Sequence, residues 1–394
     1  MTVKTQDTSH ARLPREVQIL VAARVVDRLG GFTLTFLPLL LVTAYGASLR
    51  AAGLVAAAFG VATIPSRLLG GRLADRWGPR ATIVLGLTGC AFAQLGLAVA
   101  PGLVPAFAAA LLLGLCFEIY EPPSQALLAD LTPPPQRAAA YSALGAAIAA
   151  AGVVAGVLAA LLSGFGMRWL FVADAVTCVA CAAVVRFALT GGAPDRVPGH
   201  ERGSSPWRDR RLLAMFAAGI AFATAYMVML GGLPLALHHE GVEPGWAGVL
   251  IAVSATTVIA GQRLRAALPA GWGPFARMAL GYVVLSLGLA SAALASMTDT
   301  GAAYLVPVAV WSLGDVILLG EPFAVVADLA PEEARGRYLA AYGVCWGVAT
   351  TVGPLVTTGL VAVGGPGLLW LSCAGLCAML SMAQSPLRAA VTRK

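Results

Sequence analysis

Gly70-Gly71-Arg72-Leu73-Ala74-Asp75-Arg76-Trp77-Gly78-Pro79-Arg80 joins two long apolar runs, Leu49 to Leu69 and Ala81 to Ala100. A short, strongly basic hairpin between two runs of membrane-spanning length has a simple physical reading. Arg72, Arg76 and Arg80 are expected on the cytoplasmic side, because Lys and Arg in short loops resist translocation. The glycines allow a tight turn and let a neighbouring helix approach closely. Asp75 is one acid among three bases, able to meet the positive N-terminal end of another helix or to pair with the arginines.

Working outward, composition sets the class. Of 394 residues, 59% are hydrophobic and only 11% charged, against about 25% charged in ordinary soluble domains. The chain therefore reads as an all-α polytopic membrane protein. Roughly 20 apolar residues cross a bilayer, and the length has room for about twelve such helices. They are expected near 16–45, 49–73, 81–100, 103–130, 138–164, 168–190, 211–238, 245–268, 274–296, 302–328, 336–364 and 366–388. A polar stretch, 191–210, is rich in Pro, Gly, Ser and Arg. It divides the chain into a first unit, 1–190, and a second, 211–394, each of six helices.

Charge sorts the loops. With a cytoplasmic N-terminus, the inside carries Arg12, Arg15, the 72–80 cluster, Arg137, the linker arginines, Arg263, Arg265, Arg277, Arg335, Arg337, Arg388, Arg393 and Lys394. The outside keeps little more than Arg50 and Arg168. Both termini are expected in the cytoplasm. The net charge of +7 is thus topology, and no soluble basic domain offers itself to nucleic acid. No cleavable signal pattern precedes the first span. All seven cysteines sit in apolar runs, and Cys178-x-x-Cys181 has no second pair or histidine nearby. They read as helix packing, with no metal or cofactor expected. Scarce lysine beside abundant Arg, Ala and Gly suits a GC-rich bacterial genome and so a bacterial cytoplasmic membrane.

The halves repeat one another. Ala126-Leu-Leu-Ala-Asp130-Leu-Thr-Pro133 corresponds to Ala324-Val-Val-Ala-Asp328-Leu-Ala-Pro331, with Arg137 and Arg335 following each Asp at the same spacing. Trp77-Gly78-Pro79 has an echo in Trp272-Gly273-Pro274. Such matches argue for a duplicated six-helix unit, with a midplane site between parallel halves.

Charges at bilayer depth are expensive and functional by default. Arg24, Asp27 and Arg28 share one face of the first span. They read either as a proton or substrate site or as an intrahelical ion pair with snorkelling arginines. The fourth span holds Glu118 and Glu121, followed by Pro122-Pro123; the tenth holds Trp311, Asp315 and Glu321-Pro322. The parallel Glu-Pro pairs suggest caps of interrupted helices at Glu121 and Glu321. Glu118 and Asp315 have weaker structural explanations and are the preferred protonatable pair. Burial disfavours the charged form, so such carboxyls can load and release protons as exposure alternates. The alternative is permanent pairing with an arginine such as Arg24 or Arg67. Asp174 reads as structural. Tyr226, Met227, Met229, Trp311, Tyr342 and Trp346 could line an adaptable apolar pocket, or simply pack. Asp75, Arg76 and Arg80, with Asp130, Arg137, Asp328 and Arg335 at cytoplasmic helix ends, could form an ion-pair lattice that clamps the halves shut from inside and opens that end when broken.

The pattern Gly71-x-Leu73-Ala74-Asp75-Arg76-x-Gly78-x-Arg80 resembles the loop 2–3 signature of the major facilitator superfamily, with Pro79 where a basic residue is usual. Across its length the chain resembles the twelve-helix drug:proton antiporter branch, through that signature, Arg24-x-x-Asp27-x-x-Gly30, Glu121-Pro122-Pro123 and the Gly353-Pro354 of helix eleven. It departs in helix five, where Gly145, Gly152 and Gly156 are followed by Val157 and not by proline. The resemblance implies two pseudo-symmetric six-helix bundles and, at Asp75, Arg76, Arg80 and Asp130, a gate in which the arginines join helix four's terminal acid. It implies a monomer that exports small amphiphilic compounds in exchange for protons. Uptake of a polar metabolite or sugar on the same fold is the alternative, placed lower because Gln94 and Gln125 are the main embedded amides. A membrane enzyme finds no support, since His10, His200, His238 and His239 lie in tails, linker or loop ends.

Overall fold

The apolar runs become helices because in hydrocarbon the backbone must satisfy its own hydrogen bonds. The computed structural model describes residues 14–132, 137–189, 206–269, 271–331 and 335–392. Its helices run α1 Arg15–Leu29, α2 Thr33–Tyr45, α3 Leu49–Trp77, α4 Pro79–Val99, α5 Leu103–Phe117, α6 Glu121–Leu131 and α7 Arg137–Ser163. They continue with α8 Arg168–Ala188, α9 Arg210–His239, α10 Gly245–Ala266, α11 Pro274–Ala295, α12 Leu305–Leu318, α13 Glu321–Leu329 and α14 Arg335–Thr392. Among the described residues, nine segments are long and apolar enough to cross a membrane. One of them, Ala341–Thr392, has 52 residues, and α14 is bent within it where Gly364 and Gly365 leave helical geometry. With that double pass and the shorter apolar helices Leu103–Phe117 and Ala150–Ser163, the segments accommodate the twelve expected traversals. Phe92, Val104, Phe187 and Met382 point outward from the bundle, as suits a lipid-facing surface. The expected linker falls largely outside the described residues, as do Arg12, Arg393 and Lys394.

Three of the expected spans are interrupted, the fourth and tenth at the Glu-Pro pairs whose sequence suggests it. The first breaks at Gly30-Gly31, between α1 and α2. Gly30 lies so close to α8 that a Cβ would stand 2.7 Å from Asp174 Cα. The fourth breaks at Glu118-Ile119-Tyr120, because Pro122 and Pro123 have no N–H to offer the carbonyls four residues back. The tenth breaks before Glu321-Pro322, where Gly320 takes φ +81°. Glu121 and Glu321 each open a resumed helix, and a carboxylate there meets the positive end of the helix dipole.

In the first half, α8 packs on α1 and α4, and α5 on α3 and α4. In the second, α14 packs on α9 and α11, and α12 on α10 and α11. Between halves, α3 meets α14, α7 meets α10 and α2 meets α9. Small residues let these backbones touch: a Cβ on Gly60 would stand 2.5 Å from the Thr350 carbonyl oxygen, and one on Gly156 2.7 Å from that of Gly248. This is the close packing that membrane helices use in place of a hydrophobic driving force. Between Thr33, Phe59, Met227 and Thr350 the seam leaves a cavity of only about 20 Å³.

Polar side chains fasten the helix ends. Asp209 caps α9 by accepting from the Arg211 N–H at 2.9 Å, and Tyr338 at the start of α14 donates to it at 3.2 Å. Burial opposes the charge there, but the bonds from Arg211 and Tyr338 prevail and hold the carboxyl below its ordinary value. At the far end of α9, Glu240 accepts from the Tyr304 hydroxyl at 2.7 Å, which in turn accepts from Trp370 Nε1 at 3.3 Å. The other Glu240 oxygen is buried without a partner. Burial, with a smaller push from Asp299 and against the Tyr304 bond, raises this carboxyl to about 7.

Two outcomes follow. Gly60→Ala should destabilise the protein by about 1–3 kcal/mol, the cost of overpacking. Gly359→Ala, where nothing lies within 4 Å of a Cβ, should be neutral in the same thermal unfolding assay. Equal effects would mean the α3–α14 contact is not tight. For Glu240, the folded chain holds a proton that the unfolded chain has already released. Its contribution is fully present below the ordinary value of 4.5 and lost as pH rises toward about 7. The unfolding temperature should fall across that window and flatten in Glu240→Gln; an unchanged slope in the variant would remove this carboxyl as its cause.

Candidate functional site

The breaks in the first and fourth spans place charged groups side by side inside the first half. Arg24 of α1 reaches Glu121 at the start of α6, with Nη2 to Oε2 at 2.5 Å, and Asp27 one turn along at 3.4 Å. Its guanidinium lies over the Tyr120 ring, 5.0 Å from the centroid. The Tyr120 hydroxyl donates to Asp27 at 3.4 Å, and Cys178 Sγ approaches the other Asp27 oxygen at 3.7 Å. Arg24 and Asp27 are therefore an intrahelical ion pair that is also part of a network across α1, α6 and α8. The network borders a cavity of about 150 Å³ that Arg28, Gln94 and Asp174 also line.

Glu118 ends α5. Its N–H donates to Ser66 Oγ at 3.0 Å, and its carboxylate lies 3.7 Å from the Arg67 guanidinium. That is an ion pair without a hydrogen bond, since Glu118 Oε2 is buried with no hydrogen-bond partner. Pairing with Arg67 is the alternative that the sequence offers for this residue. Glu118 has no direct contact with Asp315, which belongs to the other half.

Asp315 on α12 makes no hydrogen bond or ion pair among the described residues. Tyr226 of α9 is within electrostatic reach of both Asp315 and Arg28. Tyr226 also leads an aromatic wall: its ring is 5.4 Å from Trp346, and Phe222 lies 6.1 Å from Trp346 and 5.6 Å from Tyr282. Trp311 is drawn elsewhere, buried against Trp370 at 6.2 Å and backed by Gly288 of α11. Glu321 is clamped between Arg265 and Arg277, each at 3.4 Å. From sequence both arginines read as loop topology alone, and a Glu-Pro repeat does not show which bases reach it.

At the basic hairpin, Gly78 takes φ +83°, a conformation that favours glycine, and links α3 to α4. Nothing lies within 4 Å of where a Cβ on Gly71 would be, and Arg76 is exposed. Arg80 donates to the carbonyl of Val185 at 3.2 Å and to that of Arg186. It thus caps the end of α8, where carbonyls lack helical partners; the resemblance implied an acid at the end of helix four instead. The side chains of Asp75, Asp130, Arg137 and Arg335 lie outside what the structure describes. Sequence reasoning names Gln94 as an embedded amide and reads Asp174 as structural, but does not connect the two through Thr33. The signal was there: a glutamine and an aspartate each in the middle of an apolar run.

Sequence relatives cover most of the chain. The Na(+), Li(+), K(+)/H(+) antiporter of Planococcus maritimus is 25% identical over 336 residues, 74% of this chain and 77% of that protein. The probable actinorhodin transporter of Streptomyces coelicolor is 26% identical over an alignment of 428 positions that covers 90% of this chain and 72% of that protein. Among solved structures, a POT family transporter in complex with 5-aminolevulinic acid superposes with TM-score 0.81 at 11% identity, covering 96% of this chain and 97% of that one. A D-xylose–proton symporter gives 0.76 at 14%, covering 93% and 96%. At such identities the structures share the fold alone. The family model of the Major Facilitator Superfamily matches residues 22–354, from the interrupted first span to the Gly-Pro of α14, and the chain belongs to that superfamily, a membrane transporter and not an enzyme.

Proposed function

We propose that this transporter exports small amphiphilic compounds in exchange for protons, with Asp315 as a proton carrier. The observation that carries the reading is the Asp315 carboxyl itself, inside a span and without hydrogen bond or ion pair among the described residues. An unpaired carboxylate at that depth is expensive, and binding a proton removes the cost. Beside it, Phe222, Tyr226, Tyr282 and Trp346 offer the aromatic surface that an amphiphile needs. In the other half, a proton taken up by Glu118 would release Arg67, and one taken up by Asp27 would loosen Arg24. The two relatives support exchange and export by what they are called, one an antiporter and one a probable actinorhodin transporter.

On this reading the halves divided by the 191–210 linker rock about the α3–α14 and α7–α10 seams. The 72–80 hairpin and both termini face the cytoplasm of a bacterium, and the protein works as a monomer. The Arg80 bond to the end of α8 holds the gating hairpin to its own half, which then moves as one piece.

Inverted vesicles loaded with a proton-sensitive dye test this. Amphiphilic cations or neutral antibiotics added outside should dequench the dye in wild type. In Asp315→Asn the signal should fall to that of vesicles lacking the protein. A full response in Asp315→Asn would remove that residue from coupling. No response to any compound, alongside accumulation of a labelled polar metabolite in whole cells, would replace export with uptake.

A further inference from the structure

A separate cavity lies at the end of the bundle opposite the 72–80 hairpin, where α2 and α9 end and α8 and α10 begin. Its volume is about 420 Å³, within the range of about 300–1,000 Å³ typical of small-molecule pockets. Both halves line it: Leu39, Thr43 and Met167 from the first, Leu237, His238 and Val242 from the second. Leu39, Met167, Leu237 and Val242 are buried and make the wall apolar. Arg168 is the exception. Its exposed guanidinium donates through Nη2 to the Ala44 carbonyl at 3.5 Å and lies 5.1 Å from the centroid of the Tyr45 ring. Those contacts fix where the group stands and leave most of its N–H donors free. No carboxylate pairs with Arg168 among the described residues, and no Asp or Glu lines the cavity. Glu240 turns away to Tyr304, and Glu243 is exposed outside the lining. Met167 and Pro244, which precede α8 and α10, also line the space, and neither gives its helix a side-chain cap. Positive charge thus meets an apolar wall with no acid to answer it.

We propose that this cavity binds a monoanionic amphiphile, its acidic head on Arg168 and its single apolar tail against Leu39, Leu237 and Val242. Charge sets the head. A guanidinium recognises an oxyanion through charge-assisted N–H bonds; one guanidinium balances one negative charge and would leave the second charge of a dianion buried without a partner. A neutral compound would leave Arg168 unanswered, and a cation would be repelled. The wall sets the tail, because apolar surface gains by leaving water. Access is from the bilayer surface. Phe165 and Trp169 line the cavity and are 79% and 54% exposed, and aromatic side chains gather where lipid meets water. Gly166 between them, at φ +118°, makes the tight turn that brings Phe165 and Arg168 to the same space. The proposed topology makes this the external end. Because both halves line the cavity, an amphiphile bound there ties them together and opposes their separation at that end. Binding itself depends on neither Asp315 nor the direction of transport.

The full-length protein is reconstituted in nanodiscs of zwitterionic lipid, and equilibrium binding of radioactive decanesulfonate, a permanent anion, is measured against empty nanodiscs. Wild type should show a saturable site, and decanol and decyltrimethylammonium should fail to compete for it. Arg168→Gln should weaken binding at least about tenfold, the usual cost of losing a charge-assisted hydrogen bond. Val242→Phe, which fills the space of the tail without altering charge, should weaken it as well. Arg50→Gln, at an arginine outside the lining, should leave it unchanged. If Arg168→Gln does not fold, the charge preference and Val242→Phe still decide the matter. The absence of a saturable site, equal competition by decanol, or binding unaffected by Arg168→Gln and Val242→Phe overturns the site. Loss of binding when the nanodiscs contain phosphatidylglycerol would give the cavity to a lipid headgroup and overturn the single-tailed ligand. The export reading depends instead on the dye signal of Asp315→Asn and survives or fails separately.

Discussion

The pairing of buried charge across interrupted helices is the interaction on which the rest of this structure depends. A helix broken inside hydrocarbon exposes carbonyls and N–H groups that water cannot reach, and the break persists only where protein surrounds it. In both halves a Glu-Pro pair resumes the helix, so a carboxylate lands at a helix N-terminus where the dipole favours it. The dipole alone does not offset the cost of burying that charge; a guanidinium must come as well. Glu121 receives Arg24 from the first span, and Glu321 receives Arg265 and Arg277 from the eighth and ninth. The same local problem is solved by different helices. A duplicated sequence has therefore diverged in its long-range bonds while keeping its short-range ones.

That divergence explains why the two halves carry unlike chemistry. Around Arg24 the first half gathers Asp27, Glu121, Tyr120 and, across the cavity, Arg28 and Asp174. Any change of charge there is felt by several neighbours, because low dielectric strengthens each interaction. In the second half Arg265 and Arg277 pair with Glu321, and Asp315 stands apart beside an aromatic wall. A solitary carboxyl responds to its own protonation alone. A linked set redistributes its bonds.

The fold was legible because its causes are local. Apolar runs of bilayer length, a basic hairpin, and the repeated Ala-Asp-x-x-Pro blocks are properties of neighbouring residues, and the superfamily follows from them. The bend in α14 was legible too, since Gly364-Gly365-Pro366 can scarcely continue a helix. The interruption at Glu118-Ile119-Tyr120 was only half legible: the prolines announce it, but hydropathy runs straight through. Apart from Arg67 for Glu118, long-range partners were not legible. Arg24 and Glu121 are separated by 97 positions, Arg265 and Glu321 by 56, Thr33 and Asp174 by 141, and no periodicity links them. Trp311 shows the same limit. Its place one turn from Asp315 suggests a shared pocket, yet its ring packs on Trp370.

Closure of the seam adds a further constraint. Gly60 against Thr350 and Gly156 against Gly248 bring backbones so close that no side chain can intervene. Such contacts are either made or broken; a partial opening would leave a void without water or lipid to fill it, forfeiting the contacts of every lining atom. This is what makes an interface bistable instead of continuously deformable. The groups that bias it need not lie on the seam. Thr33, which holds Asp174, also lines the small seam cavity with Phe59, Met227 and Thr350. A change of charge at Asp174 reaches the seam through one hydroxyl, with no loop or linker between. The interruption at Gly30-Gly31 makes this possible, because it sets Thr33 at the start of a new helix, facing both the buried acid and the opposite half.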